Sequence, residues 1–281
     1  MIIKPNLMTA MRTTSASIDV SAERISTGKR VNRAGDDPLA FSSITNTKTS
    51  ISSAGISLST LDYALNRNDG RDQLMASMQD SMMRFNELAT MASGGFNKLT
   101  DIIPEMTAIE QAMVSMGNTT DASGQMFSGN STIVPFVQNP VTSVVTYAGS
   151  AIDQTMSVEG ITLSGAVAGT PLMAAFNAMR TVLVSMTAGT APTMAMVQAV
   201  QASISTLVDF RTQGAAQASS ATTIQTALTS RQDNEKMSVS RMQDADLTAE
   251  TISMSEGQKQ YEAIMKVTGM RLGQRRLMDF I

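Results

Sequence analysis

Cysteine, histidine and tryptophan are all missing from the 281 residues. Without thiols no disulfide can hold the fold and no thiolate can act as a nucleophile, and without imidazole the usual general base near neutral pH is gone. Packing alone must stabilise the structure. Charge is also scarce: charged residues make up 16% of the chain and the formal net charge is -3. The Lys and Arg are scattered, whereas phosphate binding needs them concentrated, so no nucleic-acid partner is expected. No apolar run is long enough for membrane insertion. Met1-Ile2-Ile3-Lys4-Pro5 does not open a basic region followed by a sustained apolar core, so no cleaved signal peptide is expected either.

Glycine is present but not in a nucleotide-binding arrangement. Gly28, Gly35, Gly70, Gly94 and Gly95 lack the phosphate-cradling spacings, and the many Ser and Thr hydroxyls have no base placed to activate them. No catalytic, cofactor-binding or metal-binding residue is expected, and the chain does not read as an enzyme.

What the sequence does have is helical periodicity and 24 methionines. Leu7, Met11, Ile18 and Ile25, with Thr14 and Ala22 between them, alternate spacings of three and four, the period of a narrow helical seam. That helix should end near Gly28 to Val31. Asp36-Asp37-Pro38 then supplies an N-cap and a proline at the first helical position. From Pro38 to about Ser93, Ile44, Ile51, Leu58 and Leu65 recur every seven residues with Ala54 and Leu61 beside them, a coiled-coil pattern. After Asn68-Asp69-Gly70 the stripe shifts to Met75, Met78, Met82, Phe85 and Ala89, which predicts a local irregularity at the glycine.

A third helix follows from Leu99 to Met116, with Ile102, Met106, Ile109, Met113 and Met116 on one face and Pro104 fitting its first turn. Residues 124–169, rich in Val and Thr and punctuated by Pro135, Pro140 and Gly149, predict a small β subdomain. Helical patterns resume from Pro171 to Met186, from Thr193 to Gln243, and from Asp246 to Phe280. The fold class is therefore mainly α: long antiparallel coiled-coil helices, paired terminal helices and a small β subdomain inserted in the middle.

Each candidate site has a plainer reading. The stripe Met75, Met78, Met82 and Met83 is core filler at helical spacing, although thioethers can also bind Cu(I). Asp36-Asp37 and Asp244-Asp246 are helix caps before they are acid/base pairs. Lys266, Arg271, Arg275 and Arg276 place positive charge near the carboxyl end, where a helix dipole favours it.

Two segments carry a family resemblance. Glu23-Arg24-Ile25-Ser26-Thr27-Gly28-Lys29-Arg30-Val31-Asn32, followed by Asp36-Asp37-Pro38, resembles the amino-terminal signature of bacterial flagellins and of their relative, the hook-to-filament junction protein. Ser240-Arg241-Met242-Gln243-Asp244-Ala245-Asp246 resembles the flagellin carboxyl-terminal pattern. Asp36-Asp37-Pro38 and the ending Arg276-Leu277-Met278-Asp279-Phe280-Ile281 look more like the junction protein, whereas the Ser240–Asp246 element and Asn68-Asp69-Gly70 look like flagellin.

The resemblance implies an inner polymerisation domain of 1–35 with 245–281, an outer helical rod of 36–123 with 170–244, and the β-rich insertion 124–169 within it. The implied function is a filament subunit for swimming motility, with the hook-associated junction protein as the alternative; a coiled-coil binding module is a second alternative outside the family. Its implied partners are other copies of itself, junction and cap proteins, and an export chaperone on the carboxyl-terminal segment. Type III export would place it outside the cell, on the flagellum. Residues expected at the assembly interface are Leu7, Met11, Ile18, Ile25, Leu247, Ile252, Tyr261, Ile264, Met265, Leu272, Leu277 and Phe280. Arg84-Phe85-Asn86-Glu87-Leu88 resembles the segment that flagellins present to an innate immune receptor, with Arg84, Glu87 and Leu88 as its candidates. Packing within a helix explains the same residues.

Overall fold

The computed structural model describes residues 5–95 and 98–278, with Pro5 and residues 271–278 as backbone alone. Six helices are described: α1 (Pro5–Thr27), α2 (Pro38–Ser93), α3 (Leu99–Gly117), α4 (Thr170–Thr187), α5 (Met194–Gln243) and α6 (Leu247–Met278). Between α3 and α4 lie strands β1 (Thr120–Asp121), β2 (Gly124–Gln125), β3 (Phe136–Gln138), β4 (Val145–Tyr147), β5 (Thr155–Val158) and β6 (Ile161–Ser164). They form three antiparallel hairpins, β1 with β2, β3 with β4 and β5 with β6. The fold is mainly α with a small inserted β subdomain. The chain divides into two compact units, Met1–Gly55 with Thr229–Ile281, and Ile56–Leu228.

In the first unit α1 packs on α6. Hydrogen bonds from Ser50 to Glu235 at 2.8 Å and from Gln232 to the Ile51 carbonyl at 3.2 Å join α2 to α5. In the second unit Gln225 bonds Asp62 and Arg211 bonds Asp72. Within each unit rising numbers on α2 meet falling numbers on α5, so the two long helices run antiparallel.

The second unit holds the main core, built from Met75, Met78, Met82, Phe85, Met106, Met113, Phe176 and Met179, all essentially fully buried. The methionine stripe is core, except Met83, which faces solvent. Unbranched thioethers fill the irregular space where helices and hairpins meet.

Two sequence expectations need correction. Helix α2 passes through Asn68-Asp69-Gly70 without a break. Its stripe does not shift, because Leu61, Ala64, Arg67, Arg71, Met75 and Met78 keep the spacing of three and four, and Arg71 holds a seam position. Both Arg71 and its neighbour Arg67 are buried beneath the hairpins. Arg71 reaches the Ser164 carbonyl at 3.4 Å and Arg67 the Gln125 carbonyl at 2.8 Å, so each arginine meets backbone where an aliphatic residue was expected. Burial lowers the Arg71 pKa to about 10.

Pro104 sits inside α3, not in its first turn. The lost N–H and ring clash of an interior proline cost about 3 kcal/mol. The buried face of Ile102, Met106 and Met113 holds the helix regardless.

Hairpin β3–β4 shows why the insertion stays attached. Phe136 stacks at tilted angles on Phe176 of α4 and on Tyr147, with ring centroids 5.0 and 5.5 Å apart. Asn118, just past α3, bonds both backbone groups of Phe136, at 2.8 and 2.9 Å. The Tyr147 hydroxyl accepts the Gly169 N–H at 3.0 Å and lies 2.8 Å from the Ser150 carbonyl.

Candidate assembly surface

The two segments that carry the sequence signatures are far apart in the chain and meet in the first unit. Gly28 adopts φ +68°, a left-handed conformation that a side chain would strain, and this turn ends α1. The Gly28 carbonyl then accepts the Ala245 N–H at 3.0 Å, while the Arg30 N–H donates to the Gln243 carbonyl at 2.6 Å. The Arg30 guanidinium donates to the Met242 carbonyl at 2.9 Å and Lys48 reaches the Gln243 side chain at 2.8 Å. Residues that read as motifs in sequence thus seal the corner where α1 gives way to α2 and α5 to α6.

One aspartate of each acidic pair caps a helix, while Asp244 accepts from the Ser240 hydroxyl. Asp37 accepts the Ala40 N–H at 3.0 Å, and Asp246 accepts those of Thr248 and Ala249 at 3.0 and 3.1 Å. Asp36 accepts two backbone N–H groups, from Arg33 and Asn32, and these hold its carboxyl below the usual range. Among the described residues no group of three or more acidic side chains converges as a metal site would. No described helix is long and apolar enough to cross a membrane.

From that corner α1 and α6 run antiparallel. Leu7, Met11, Ile18 and Ile25 are half-buried on one face of α1, with Ser21 fully buried among them. The opposing face of α6 is Glu250, Met254, Gly257, Tyr261, Ile264 and Thr268, whose spacings of four and three make an unbroken seam. Glu250 accepts hydrogen bonds from the Ser21 hydroxyl and the Arg24 guanidinium, both at 2.9 Å. About two turns further on, a Cβ on Gly257 would lie 2.9 Å from Ile18 Cγ1, so only glycine lets the helices approach this closely.

Of the expected interface residues, Tyr261 and Ile264 therefore lie on the seam with the α1 set. Leu247, Ile252 and Met265 are exposed in this chain. The side chains of Leu272 and Leu277, and the whole of Phe280, lie outside the described residues. Sequence reading missed Ser21, Arg24, Glu250 and Gly257 because a carboxylate and a glycine interrupt an apolar stripe. The three-four spacing through Met254, Tyr261 and Ile264 was the available signal.

Arg84, Glu87 and Leu88 lie on α2 in the second unit. Arg84 pairs with Glu105 at 2.8 Å and with Glu87 at 3.3 Å, and Leu88 is buried in the core.

Residues 1–132 match the bacterial flagellin N-terminal helical region. A flagellin-type helical region is thus what the amino-terminal part of this chain resembles. Solved structures similar to this chain include FlgL from Bacillus cereus, with a TM-score of 0.56 and 16% identity over 64% of this chain and 98% of that one. FlgL from Xanthomonas campestris gives a TM-score of 0.54 and 16% identity over 70% and 99% of the two chains. A protein described as flagellar hook-associated, from Vibrio parahaemolyticus, gives 0.52 and 15% identity over 84% and 99%. At these identities the likeness is one of fold. No curated protein matches the sequence.

Proposed function

We propose that this chain is the junction protein that links hook to filament, in place of the filament subunit that the sequence signatures ranked first. One observation carries the choice: structures of FlgL and of a hook-associated protein align over 98–99% of their own lengths with this chain. Asp36-Asp37-Pro38 and the Arg276–Ile281 ending support the same relative. The filament-subunit reading keeps the support of Ser240-Arg241 followed by Asp244-Ala245-Asp246.

In this account 1–35 with 245–281 is the assembly domain, fixed internally by the Glu250 cluster. Its outer faces carry Met8 and Val20 on α1 and Leu247, Ile252, Met265 and Met270 on α6, all exposed in the single chain. Each Å² of apolar surface that neighbours cover contributes about 25 cal/mol, so stacking with adjacent copies, the hook and the filament covers these exposed side chains. Export through the flagellar type III apparatus, with a chaperone on the carboxyl-terminal segment, accompanies this role.

The experiment is seeded assembly followed by negative-stain electron microscopy. Purified full-length chain should add a short, self-limited layer to isolated hooks. Unlimited growth of uniform tubes from seeds of the chain itself would return the assignment to the filament subunit.

A further inference from the structure

Hairpin β3–β4 has two faces of different fate. Phe136 and Val145 are buried toward α3 and α4, as expected for the inner face of an antiparallel pair. The outer face should be polar and is not. Val137 lies directly opposite Thr146, and Val144 is two residues before Thr146, so the exposed Val137 and Val144 share the outer face. Val141 at the hairpin tip is 90% exposed, and Ile133 and Val134 at its base are exposed too. From 122 to 152 the chain has no Asp, Glu, Lys or Arg. Exposed two-stranded edges normally carry charge to prevent association with like edges. Here that safeguard is missing over the whole segment.

We infer that this uncharged β-branched patch is a contact with a neighbouring copy of the same chain, an inference that rests on the assembly role proposed above. A charged partner would gain no ion pair from the patch, while an identical copy meets no repulsion from it. Size points the same way. The exposed aliphatic surface is on the order of 400 Å², about half of what each partner buries in a stable pair. Such a patch does not hold two free chains together. It adds binding once the terminal helices fix copies side by side, because the second contact is then intramolecular at millimolar effective concentration.

The chain lacks cysteine, so a single introduced thiol reports on one position. Full-length Val141→Cys, labelled with a benzophenone, replaces the wild-type chain in cells, and intact flagella are irradiated; Ile252→Cys on α6 serves as the labelled control. The expected product is a chain-to-chain adduct from position 141, located by mass spectrometry, that falls at least tenfold when Val137→Glu and Val144→Glu are added. An adduct only to a different protein overturns the inference. So does no adduct from position 141 while position 252 cross-links, and so does an adduct that the two glutamates leave unchanged. If the wild-type chain itself is absent from flagella, the functional reading fails and the inference falls with it.

Discussion

Replacing Glu250 by alanine should loosen α1 from α6 while leaving the Met-rich core untouched. The Glu250 side chain is 15% exposed and takes two hydrogen bonds, from Ser21 and Arg24. A hydrogen bond to a charged group is worth about 1.5–3 kcal/mol, and a buried donor left unpaired costs about 1–3 kcal/mol. Arg24 is 31% exposed, so its share is screened by solvent and counts for little. The net expectation is about 2 kcal/mol, dominated by the stranded Ser21 hydroxyl. Because 1.36 kcal/mol is a factor of ten, the pair should open roughly 30-fold more often. Amide hydrogen exchange of the full-length chain, read by mass spectrometry, resolves this: peptides from Pro5–Thr27 and from 247–270 should exchange faster by that factor, and peptides covering Met75–Phe85 should not change. Glu250→Gln, which keeps an acceptor for Ser21, should recover about half the loss. Equal protection in the alanine variant and the wild type would refute the view that this cluster holds the terminal helices together.

Other perturbations have expected outcomes as direct. Gly257→Leu should also speed exchange in α1 and α6, since forcing a side chain against Ile18 costs about 1–3 kcal/mol. Asp37→Ala removes the N-cap of α2 and should lower the unfolding free energy by about 1 kcal/mol in urea titration. Glu110 is fully buried in α3 with one oxygen 3.5 Å from Arg180, and burial raises its carboxyl pKa above the usual 4.5. The folded state therefore holds this proton more tightly than the unfolded chain does. Its contribution is fully present below pH 4.5 and is lost as pH rises through the folded-state value, a decline that should disappear from urea titrations of Glu110→Gln.

The fold was legible wherever apolar residues kept a helical period, as along α1, the start of α2 and the methionine stripe. It was illegible where polar residues took core positions. Arg71 at a seam position looked like a shift of register because its partner, the Ser164 carbonyl, lies in a hairpin more than ninety residues away. Glu110 was overlooked for the same reason, its counter-ion Arg180 being on another helix. On the carboxyl-terminal helix Leu247, Ile252 and Met265 drew notice as apolar residues, yet the face packed on α1 is marked by Glu250 and Gly257. A carboxylate and a glycine are seam residues only in the presence of Ser21, Arg24 and Ile18 across the gap. The signature segments were recognisable, but that their backbones hydrogen-bond to each other through Gly28, Arg30, Gln243 and Ala245 emerges only from the fold.

The most direct test of the central claim is to mix purified full-length chain with isolated hooks and image where it binds and how far it grows. The account predicts a thin layer confined to the distal end of each hook, absent when residues 1–35 and 246–281 are removed. Continuous tubes growing from hooks or from the chain's own seeds would contradict it, as would binding that survives removal of both terminal segments.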